Sequence, residues 1–416
     1  MVYLSFRQQL LLFFLLFGLL LALVPHAGFG DDVGCWVSWA TYGFEHGLGN
    51  VYQVKDNNYN PLYHYILWLY GQLCGSADSI SGHRHWLKAF TLVFDFAGAF
   101  WAASVVPERA RRFGLVLLLL FNIGYLYNTL IWEQVDAIYS ALAFGAVLLA
   151  VRQQAINSLL LFGLALAAKT QAIIFLPTLL LLWVPQWRRR PTRAAWGLAA
   201  GAALGLLLVA PFVWAGAANY LPRIVAINLE AANQNPVISM HCFNLWYWVA
   251  ADPDATWQPD TQVVAGLSYH HWGLLLFAGS LTLALAPVLL GAWRQLRSQA
   301  VAETAPPLPL VLLSTGLIPL LFAFFNTQMH ERYWHASLLF LASYAFLSRN
   351  YWPFALVSVA YFLNLEATLR YFELYNYHVL LFNARFVAGL FALAIALGFI
   401  SLYRLALAAR PAGEAA

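Results

Sequence analysis

Charged side chains are scarce in this chain of 416 residues: Asp, Glu, Lys and Arg make up 10% of it, whereas 62% of its residues are hydrophobic. The surface of a water-soluble domain needs far more charge than this, which excludes a soluble fold. The composition instead predicts a single integral-membrane domain over residues 1–416, surrounded by membrane lipids. We attribute the net charge of +4 to arginines that set membrane topology, so no nucleic-acid partner is expected.

Cysteine and metal-ligand patterns are also lacking. The three cysteines, at positions 35, 74 and 242, do not have the spacing of a metal site. Three free thiols are expected, and one disulfide stays open in case two of them share an oxidising side of the membrane. The 11 histidines show no metal-site spacing either, so no metal and no cofactor is predicted. The histidines expected to be solvated or interfacial are His64, His83, His85, His270 and His271.

Long apolar runs are what the chain has in abundance. Many reach roughly 20 residues, the length that spans a bilayer. They predict an all-α polytopic membrane protein, a bundle of about twelve transmembrane helices with both termini on one side. The first helix is expected to stay uncleaved, because Pro25 and His26 interrupt the place of a signal-peptide cleavage site. The predicted spans are 8–25, 86–106, 113–129, 134–151, 156–168, 172–185, 194–214, 271–292, 308–325, 334–348, 352–369 and 379–402.

The distribution of arginine predicts which side faces the cytoplasm. Most of the 22 basic residues fall in short segments on the side of the termini, as the positive-inside rule requires. Two long segments, 26–85 and 215–270, are then external. Within the first, the short apolar stretch 61–74 is expected to form a re-entrant or interfacial helix. This layout suits a bacterial inner membrane, with the long segments facing the periplasm or the exterior.

One part of this membrane topology can be assigned in two ways. Residues 157–183 could form one long helix, which would place Arg152 and the basic cluster at 188–193 on opposite sides of the membrane. Two short helices that meet at 169–171 keep both on the cytoplasmic side, and they bring Lys169 to the external side. We therefore predict the pair of short helices.

With this topology, uncommon polar side chains converge on the external side. Ionisable groups at membrane depth are energetically expensive, and they indicate function by default. Plainer roles are open for three residues: Asp136 as a helix cap, Lys169 as a side chain that extends toward the interface, and Asp95 as a hydrogen-bond partner for a neighbouring helix. The converging residues are Asp31, Asp32, Glu133, Gln134, Asp136, Lys169, Gln171, His241, Asn244, Trp246, His330, Glu331, Arg332, Tyr333, Arg370 and Tyr371.

The order of these motifs resembles that of the GT-C superfamily, glycosyltransferases that take a sugar from a lipid phosphate. The resemblance covers residues 25–340 and is closest to dolichyl-phosphate-glucose-dependent glucosyltransferases and GPI mannosyltransferases, with similar bacterial relatives. In the glucosyltransferases an Asp is followed seven residues later by a Trp and then by Tyr-Pro-Pro-Leu. Asp32 and Trp39 keep that spacing, and the sequence YNPL at 59–62 takes the later place. The further matches are Asp95, Gln134, Lys169-Thr170-Gln171 and His330-Glu331-Arg332, with Arg332 where the family has Lys.

This resemblance implies an inverting transfer of a hexose or mannose-type sugar from a polyprenyl-phosphate donor to an acceptor hydroxyl on the extracytoplasmic face. The acceptor would be a glycan, a glycolipid or a protein. Asp32 is the expected catalytic base, with Asp31 as the alternative, and the donor phosphate is expected to meet Lys169, Arg332 and His330. The expected substrate-binding residues are Glu331, Gln134, Asp136, Gln171, Tyr59, Trp39, Asn244 and Trp246.

A transporter or flippase of a lipid-linked saccharide is the competing class. It would account for the many helices and for the charge at membrane depth. A transporter, however, needs a site near the middle of the bilayer that both sides can reach. The one-sided polar residues and the long aromatic segment after the first helix favour the glycosyltransferase. The sequence leaves the oligomeric state open.

Overall fold

The computed structural model describes residues 4–23, 28–231, 235–250, 253–297 and 306–408. Helices dominate the described part, which confirms the predicted all-α class. The β-structure in these ranges is confined to isolated bridges and one antiparallel ribbon, formed by β1 (Val263–Val264) and β2 (Leu267–Ser268). Pro25 and His26, on which the prediction of an uncleaved first helix depends, lie outside the described residues.

The helices follow the predicted apolar runs closely. The helices of the first half are α1 (Phe6–Leu23), α2 (Gly30–His46), α3 (Pro61–Cys74), α4 (Ala77–Gly82), α5 (Leu87–Ser104), α6 (Arg109–Leu120), α7 (Ile123–Leu130), α8 (Asp136–Val151) and α9 (Ala155–Ala168). Those of the second half are α10 (Leu176–Arg189), α11 (Pro191–Trp214), α12 (Leu221–Glu230), α13 (Trp246–Val249), α14 (Tyr269–Arg297), α15 (Leu308–Phe325), α16 (His335–Ser348), α17 (Trp352–Leu369) and α18 (Ala384–Ala408). Short 3-10 helices lie at Leu48–Gln53, Arg84–Trp86, Thr170–Phe175, Pro253–Trp257 and Leu380–Phe382.

Seven helices of the described part are long and apolar enough to cross a membrane, and there are eight if α6 and α7 count as one span. The axes of α6 and α7 differ by 56° at the break between them. Four further apolar helices, α8, α9, α16 and the Phe6–Ala22 part of α1, have only 10–17 residues each. The protein is therefore a multi-pass α-helical membrane protein, whereas the figure of twelve crossings stays a prediction.

Burial separates central helices from peripheral ones. In α15, 78% of the apolar 18-residue stretch that could span a membrane is buried inside the protein, so this helix runs through the middle of the bundle. In α11 the figure is 11% and in α14 it is 28%, so most of their apolar side chains face outward. Apolar side chains that face outward on helices of this length are suited to contact with lipid.

Residues 28–86 are folded into helices and do not form an open polar loop. The sequence predicts a helix here only at 61–74, which the structure confirms as α3, but it also contains α2, α4 and two 3-10 helices. The buried side of α2 is formed by Val33, Trp36, Trp39, Ala40 and Gly43, a spacing of three and four residues. That spacing is typical of an amphipathic helix, and it lies within a stretch whose polar residues suggested a loop.

The break between α9 and α10 confirms the predicted pair of short helices. Lys169 follows the last residue of α9 in an extended backbone conformation, with φ −156° and ψ 130°. The 3-10 helix Thr170–Phe175 then leads directly into α10. A single continuous helix over 157–183 is thereby excluded.

His64 corrects one expectation of the sequence analysis. It was expected at the surface or the membrane interface, but its side chain is fully buried on α3. Its Nε2 atom lies 3.3 Å from the main-chain oxygen of Tyr59, and its ring packs 5.0 Å from that of Tyr52 and 5.8 Å from that of Trp39. Burial lowers the pKa of His64 to about 3, so the ring is neutral at physiological pH. The three cysteines are free thiols, as expected.

The close approach of α7 to α17 yields a test of the packing. A Cβ atom added at Gly124 would lie 2.6 Å from the main-chain oxygen of Ser358, and a backbone carbonyl in a packed helix cannot move away as a flexible side chain can. We expect Gly124→Ala to lower the free energy of unfolding by about 1–3 kcal/mol. Unfolding in detergent micelles, followed by circular dichroism, measures the change.

Gly114→Ala is the matched control for this substitution. Gly114 lies on α6, and an added Cβ would meet no atom within 4 Å. The control should leave stability unchanged or raise it slightly, because alanine favours the helical conformation. Equal stability of the two variants would show that α7 and α17 are not packed as closely as described.

Candidate functional site

A buried ion pair joins the start of α8 to the break after α9. Asp136, the first residue of α8, has no exposed surface, and its Oδ1 atom lies 2.5 Å from Nζ of Lys169. Oδ1 of Asp136 accepts from Lys169 and its Oδ2 atom has no hydrogen-bond partner among the described residues, while the side chain of Lys169 is only 14% exposed. Of the roles left open by the sequence, Asp136 is therefore a partner of Lys169 and not a cap, and Lys169 does not extend out to the interface.

Asp32 joins this ion pair from the first turn of α2. Its Oδ2 atom accepts a hydrogen bond of 2.6 Å from Nε2 of Gln134 and lies 3.8 Å from Nη1 of Arg332. The side chain of Asp32 is 31% exposed, so it is accessible to solvent while it holds these contacts. Asp31 is exposed and is not among the residues that touch the cluster. The structure thus places Asp32, rather than Asp31, in the site.

Main-chain hydrogen bonds hold Asp32 and Gln134 together although 102 positions separate them. The start of α2 is tied to the turn before α8, since the N–H groups of Gly28 and Phe29 donate to the carbonyl oxygens of Ile131 and Trp132 at 2.7 and 3.2 Å. The turn itself contains Glu133 in a left-handed conformation with φ +62°. This conformation is uncommon for a residue other than glycine, and such residues cluster at functional sites.

The segment between α15 and α16 contributes the second cation. Arg332 Nη1 donates to Glu331 Oε1 at 3.2 Å, and Arg332 Nε lies 3.8 Å from Oδ2 of Asp136. The segment is fixed by a hydrogen bond of 2.9 Å from the N–H of Met240 to the carbonyl of Met329. One guanidinium therefore lies within 4 Å of three carboxylates, those of Asp32, Asp136 and Glu331.

The protonation states of this segment follow from its neighbours. Burial opposes the ionisation of Glu331, but the adjacent His330 and the charge of Arg332 outweigh it and lower the pKa of Glu331 to about 2. Burial and the charge of Arg332 lower the pKa of His330. At neutral pH the carboxylate is therefore ionised and the imidazole neutral, so His330 offers hydrogen bonds but no positive charge.

Exposure within the cluster is graded. The side chains of Asp136 and Glu331 are 0% and 4% exposed, whereas those of Lys169, Arg332 and Asp32 are 13–31% exposed. The two most buried carboxylates lie behind the two cations and hold them in place. Asp32 and the cations are the groups that a ligand approaching from solvent would meet.

Aromatic side chains surround the cluster. Lys169 Nζ lies 5.7 Å from the ring centroid of Tyr139 and 5.6 Å from that of Tyr333, within the range of a cation–π contact. The ring of Tyr59 packs 5.4 Å from that of Trp39 and is held next to the cluster, and burial raises the pKa of its hydroxyl. Trp39 is only 3% exposed, so its large face is covered by other rings.

Three predicted binding residues lie apart from these contacts. The side chain of Asn244 donates to the carbonyl of Ala323 at 3.0 Å, and the indole N–H of Trp246 donates to that of Asn326 at 3.2 Å. Both residues thus fasten the segment before α13 to the end of α15. Gln171 lies in the 3-10 helix after Lys169, where its Oε1 atom is buried and accepts no hydrogen bond from the described residues.

Two contacts of this region were missed by the sequence analysis. Glu133 Oε1 lies 3.0 Å from Nδ1 of His85 and 3.3 Å from Nζ of Lys88, so His85, whose side chain is 18% exposed, is a hydrogen-bond partner of Glu133 and Lys88 is its ion-pair partner. His335 is fully buried at the start of α16, its ring stacked on that of Tyr125 at 5.4 Å. The sequence does contain a signal that His335 is unusual, because it is an ionisable residue at the start of an apolar run.

Asp95, expected to bond to a neighbouring helix, is wholly buried on α5. The hydroxyl of Tyr125 on α7 donates to the main-chain oxygen of Asp95 at 2.9 Å. The link between the two helices therefore runs in part through the backbone at this position.

The cluster lies where α8 and α16 begin and α9 ends, so it is at one end of the helix bundle. The described residues contain no group of three or more His, Cys, Asp or Glu side chains that could hold a metal ion. No known protein-family model matches the chain, and no curated protein is significantly similar to it. Fold and site together define a multi-pass membrane protein with a solvent-accessible ionic cluster at one end of its helices.

The buried pair can be tested by removing one of its charges. Asp136→Asn would leave Lys169 buried without its partner, which should lower the free energy of unfolding by about 3–5 kcal/mol. The measurement is denaturant unfolding in detergent.

Glu108→Gln serves as the control, because Glu108 pairs with Arg111 at 3.4 Å in a contact whose side chains are 57% and 32% exposed. Its loss should cost less than about 1 kcal/mol. Similar losses in the two variants would contradict a buried pair at Asp136.

Proposed function

We propose that the protein is a GT-C-type glycosyltransferase that moves a hexose or mannose-type sugar from a polyprenyl-phosphate donor to an acceptor hydroxyl, with inversion. One observation carries this proposal: Asp32, Gln134, Lys169 and Arg332, which come from four distant segments, lie in one ionic cluster. These are positions through which the sequence resembles that superfamily. A coincidental packing arrangement would have no reason to select them.

The proposal includes the topology in the membrane. Twelve crossings would place the cluster on the extracytoplasmic face, because the arginine-rich segments lie at the opposite ends of the same helices. The site would then face the periplasm or exterior of a bacterial inner membrane, where lipid-linked sugars are presented and nucleotide sugars are not required.

Asp32 is the proposed general base. Its contacts with Gln134 and Arg332 both use Oδ2, so Oδ1 can accept the proton of the acceptor hydroxyl. In the reaction the acceptor oxygen bonds to the anomeric carbon while the bond from that carbon to the phosphate oxygen breaks. The bonding electrons leave on the phosphate, and the proton moves to Asp32. Gln134 orients the carboxylate throughout.

Lys169 and Arg332 are the proposed stabilisers of the leaving phosphate. Cations aimed at charge that develops in the transition state lower the barrier. Three carboxylates already face these two cations, so a donor phosphate has to use the N–H groups that the carboxylates leave unused. An ammonium has three N–H donors and a guanidinium has five, and in this cluster Lys169 Nζ makes one contact with Asp136.

A narrow apolar groove near Lys169 supports a lipid-linked donor. It has a volume of about 240 Å³ and runs between α9 and α11, where Gly163, Gly201 and Gly205 line it together with leucines. At one end Asn60 donates to the carbonyl of Leu166 at 2.8 Å, three residues before Lys169. A prenyl chain in this groove would bring its phosphate toward the cations.

The competing transporter class fits this arrangement less well. A transporter binds its substrate near the middle of the bilayer, between elements that open to either side. The ionic cluster instead lies at the ends of α8, α9 and α16. If the purified protein moves a lipid-linked saccharide across the membrane of vesicles and releases no polyprenyl phosphate, the protein is a transporter and the proposed glycosyltransferase activity is wrong.

The catalytic base is tested by a pair of adjacent substitutions. Asp32→Asn should lower kcat for release of polyprenyl phosphate from polyprenyl-phosphate glucose or mannose by about 10²–10⁴, because general base catalysis is lost. Asp31→Asn, which changes the exposed neighbour, should keep activity near that of the unchanged protein. Membrane lipid extracts supply the acceptor in both assays. Full activity of Asp32→Asn would remove it from the mechanism.

The phosphate-binding role is tested by Arg332→Lys. This variant keeps the charge but loses the planar set of donors, so KM for the donor should rise about tenfold or more. Arg370→Lys is the control, since Arg370 is exposed just after α17, at the same end of the bundle. An unchanged KM in Arg332→Lys would contradict contact between Arg332 and the donor phosphate.

A further inference from the structure

A second pocket lies at the other end of the bundle. It has a volume of about 880 Å³ and is formed where α9 begins, α10 ends, α11 begins and α14 ends. The 14 residues of α9 separate it from Lys169, a distance of about 21 Å at 1.5 Å per residue. The pocket is therefore a feature of its own and not a part of the ionic cluster.

Arginines and amides make this pocket a set of hydrogen-bond donors. Among the residues that the structure describes, no Asp or Glu lines it. The lining residues with polar side chains are Gln153, Gln154, Asn157, Gln186, Arg188, Arg189, Arg190, Arg193, Gln295 and Arg297. The ionic cluster contains more carboxylates than cations, whereas the described part of this pocket's walls concentrates positive charge without an acidic partner.

The pocket is fixed by the helices that form it. Gln186 is buried in its wall, where Nε2 donates to the carbonyls of Ala150 and Leu182 at 2.8 and 2.9 Å. Arg189 Nη2 donates to the carbonyl of Gln295 at 3.0 Å, which joins the end of α10 to the end of α14. The guanidinium of Arg297 lies 4.5 Å from the ring centroid of Trp293. Arg188, Arg190 and Arg193 remain exposed.

Apolar surface adjoins the pocket on two helices. Beyond Arg193, α11 exposes 73% of Trp196 and 56% of Leu198. On α14, one to two turns before Arg297, Leu290 and Trp293 are 55% and 51% exposed. Positive charge next to outward-facing apolar side chains matches an amphipathic anion: a phosphate head group with acyl chains attached.

We propose that this pocket binds a phosphate-bearing anion, and that an anionic phospholipid supplies it, with its head group among the arginines and its acyl chains along α11 and α14. Arginine binds phosphate oxygens with pairs of parallel N–H donors, and the five arginines of the pocket offer several such pairs. A soluble phosphate compound carries the same chemistry without the acyl chains.

Native mass spectrometry of the full chain in detergent tests the proposal with diphosphatidylglycerol as the lipid probe and phosphatidylcholine as the uncharged comparison. Inorganic pyrophosphate, measured by equilibrium dialysis, is the soluble probe. The pocket variant carries Arg188→Gln, Arg190→Gln and Arg193→Gln. The control variant carries Arg109→Gln, Arg349→Gln and Arg404→Gln, which removes the same charge from exposed arginines at the same end of the bundle but outside the pocket.

We expect diphosphatidylglycerol to bind the unchanged protein and the control variant with similar affinity, and the pocket variant at least about tenfold more weakly. Phosphatidylcholine should bind all three proteins alike. If pyrophosphate shows this pattern and the lipid does not, the phosphate site stands and its source is soluble. Equal weakening in the two variants, or no saturable binding of either probe, would overturn the proposal. Sugar transfer is not part of this readout, so its outcome does not depend on the proposed function.

Discussion

A lysine and an arginine can be buried between apolar helices only when carboxylates from other segments lie beside them, because an unpaired charge away from water is too costly to retain. That constraint shapes one end of this protein. Lys169 meets Asp136, and Arg332 meets Asp32, Asp136 and Glu331, so four separate segments must end at the same place. The break after α9, the left-handed turn at Glu133 and the main-chain bonds at Gly28 all serve that meeting point.

The two ends of the bundle differ in how their positive charges are neutralised. At the ionic cluster both cations have a carboxylate within 4 Å, and their own side chains are only 13–14% exposed. At the arginine-rich pocket the polar side chains of the described walls are cations and amides, with no carboxylate among them. Cations that are neutralised by carboxylates of the same protein suit a site that must hold its geometry while a substrate enters and leaves. A surplus of positive charge suits a site whose cations are neutralised by an anionic ligand.

The positions of the helices could be predicted from the sequence because each apolar run is delimited by polar residues, proline or arginine. The break at Lys169 followed from the need to keep Arg152 and the basic cluster at 188–193 on one side of the membrane. The number of crossings stays a prediction, since α8, α9 and α16 are too short to meet the usual criterion for a span. The polar residues of α2 obscured the regular spacing of its buried aromatic residues in the sequence. The burial of His64 could not be predicted, because the rings that cover it come from other segments of the chain.

For the candidate site, the sequence indicated which residues belong together but not how they touch. Topology alone brought Asp32, Gln134, Lys169 and Arg332 to one side. The choice between Asp31 and Asp32 required the orientation of α2, and the contacts of His85 and Lys88 with Glu133 could be seen only in the folded structure. Asn244 and Trp246 lie outside the cluster because their polar groups are used by the carbonyls at the end of α15.

The pairing of Asp136 with Lys169 also constrains biogenesis. The ribosome delivers α8 to the insertion machinery with a carboxylate whose partner is still 33 residues away in the nascent chain. A carboxylate that enters hydrocarbon alone is unfavourable. Release of the two helices as one hairpin joins the carboxylate to the ammonium at the open end of that hairpin, whereas release one after the other leaves each charge without its partner.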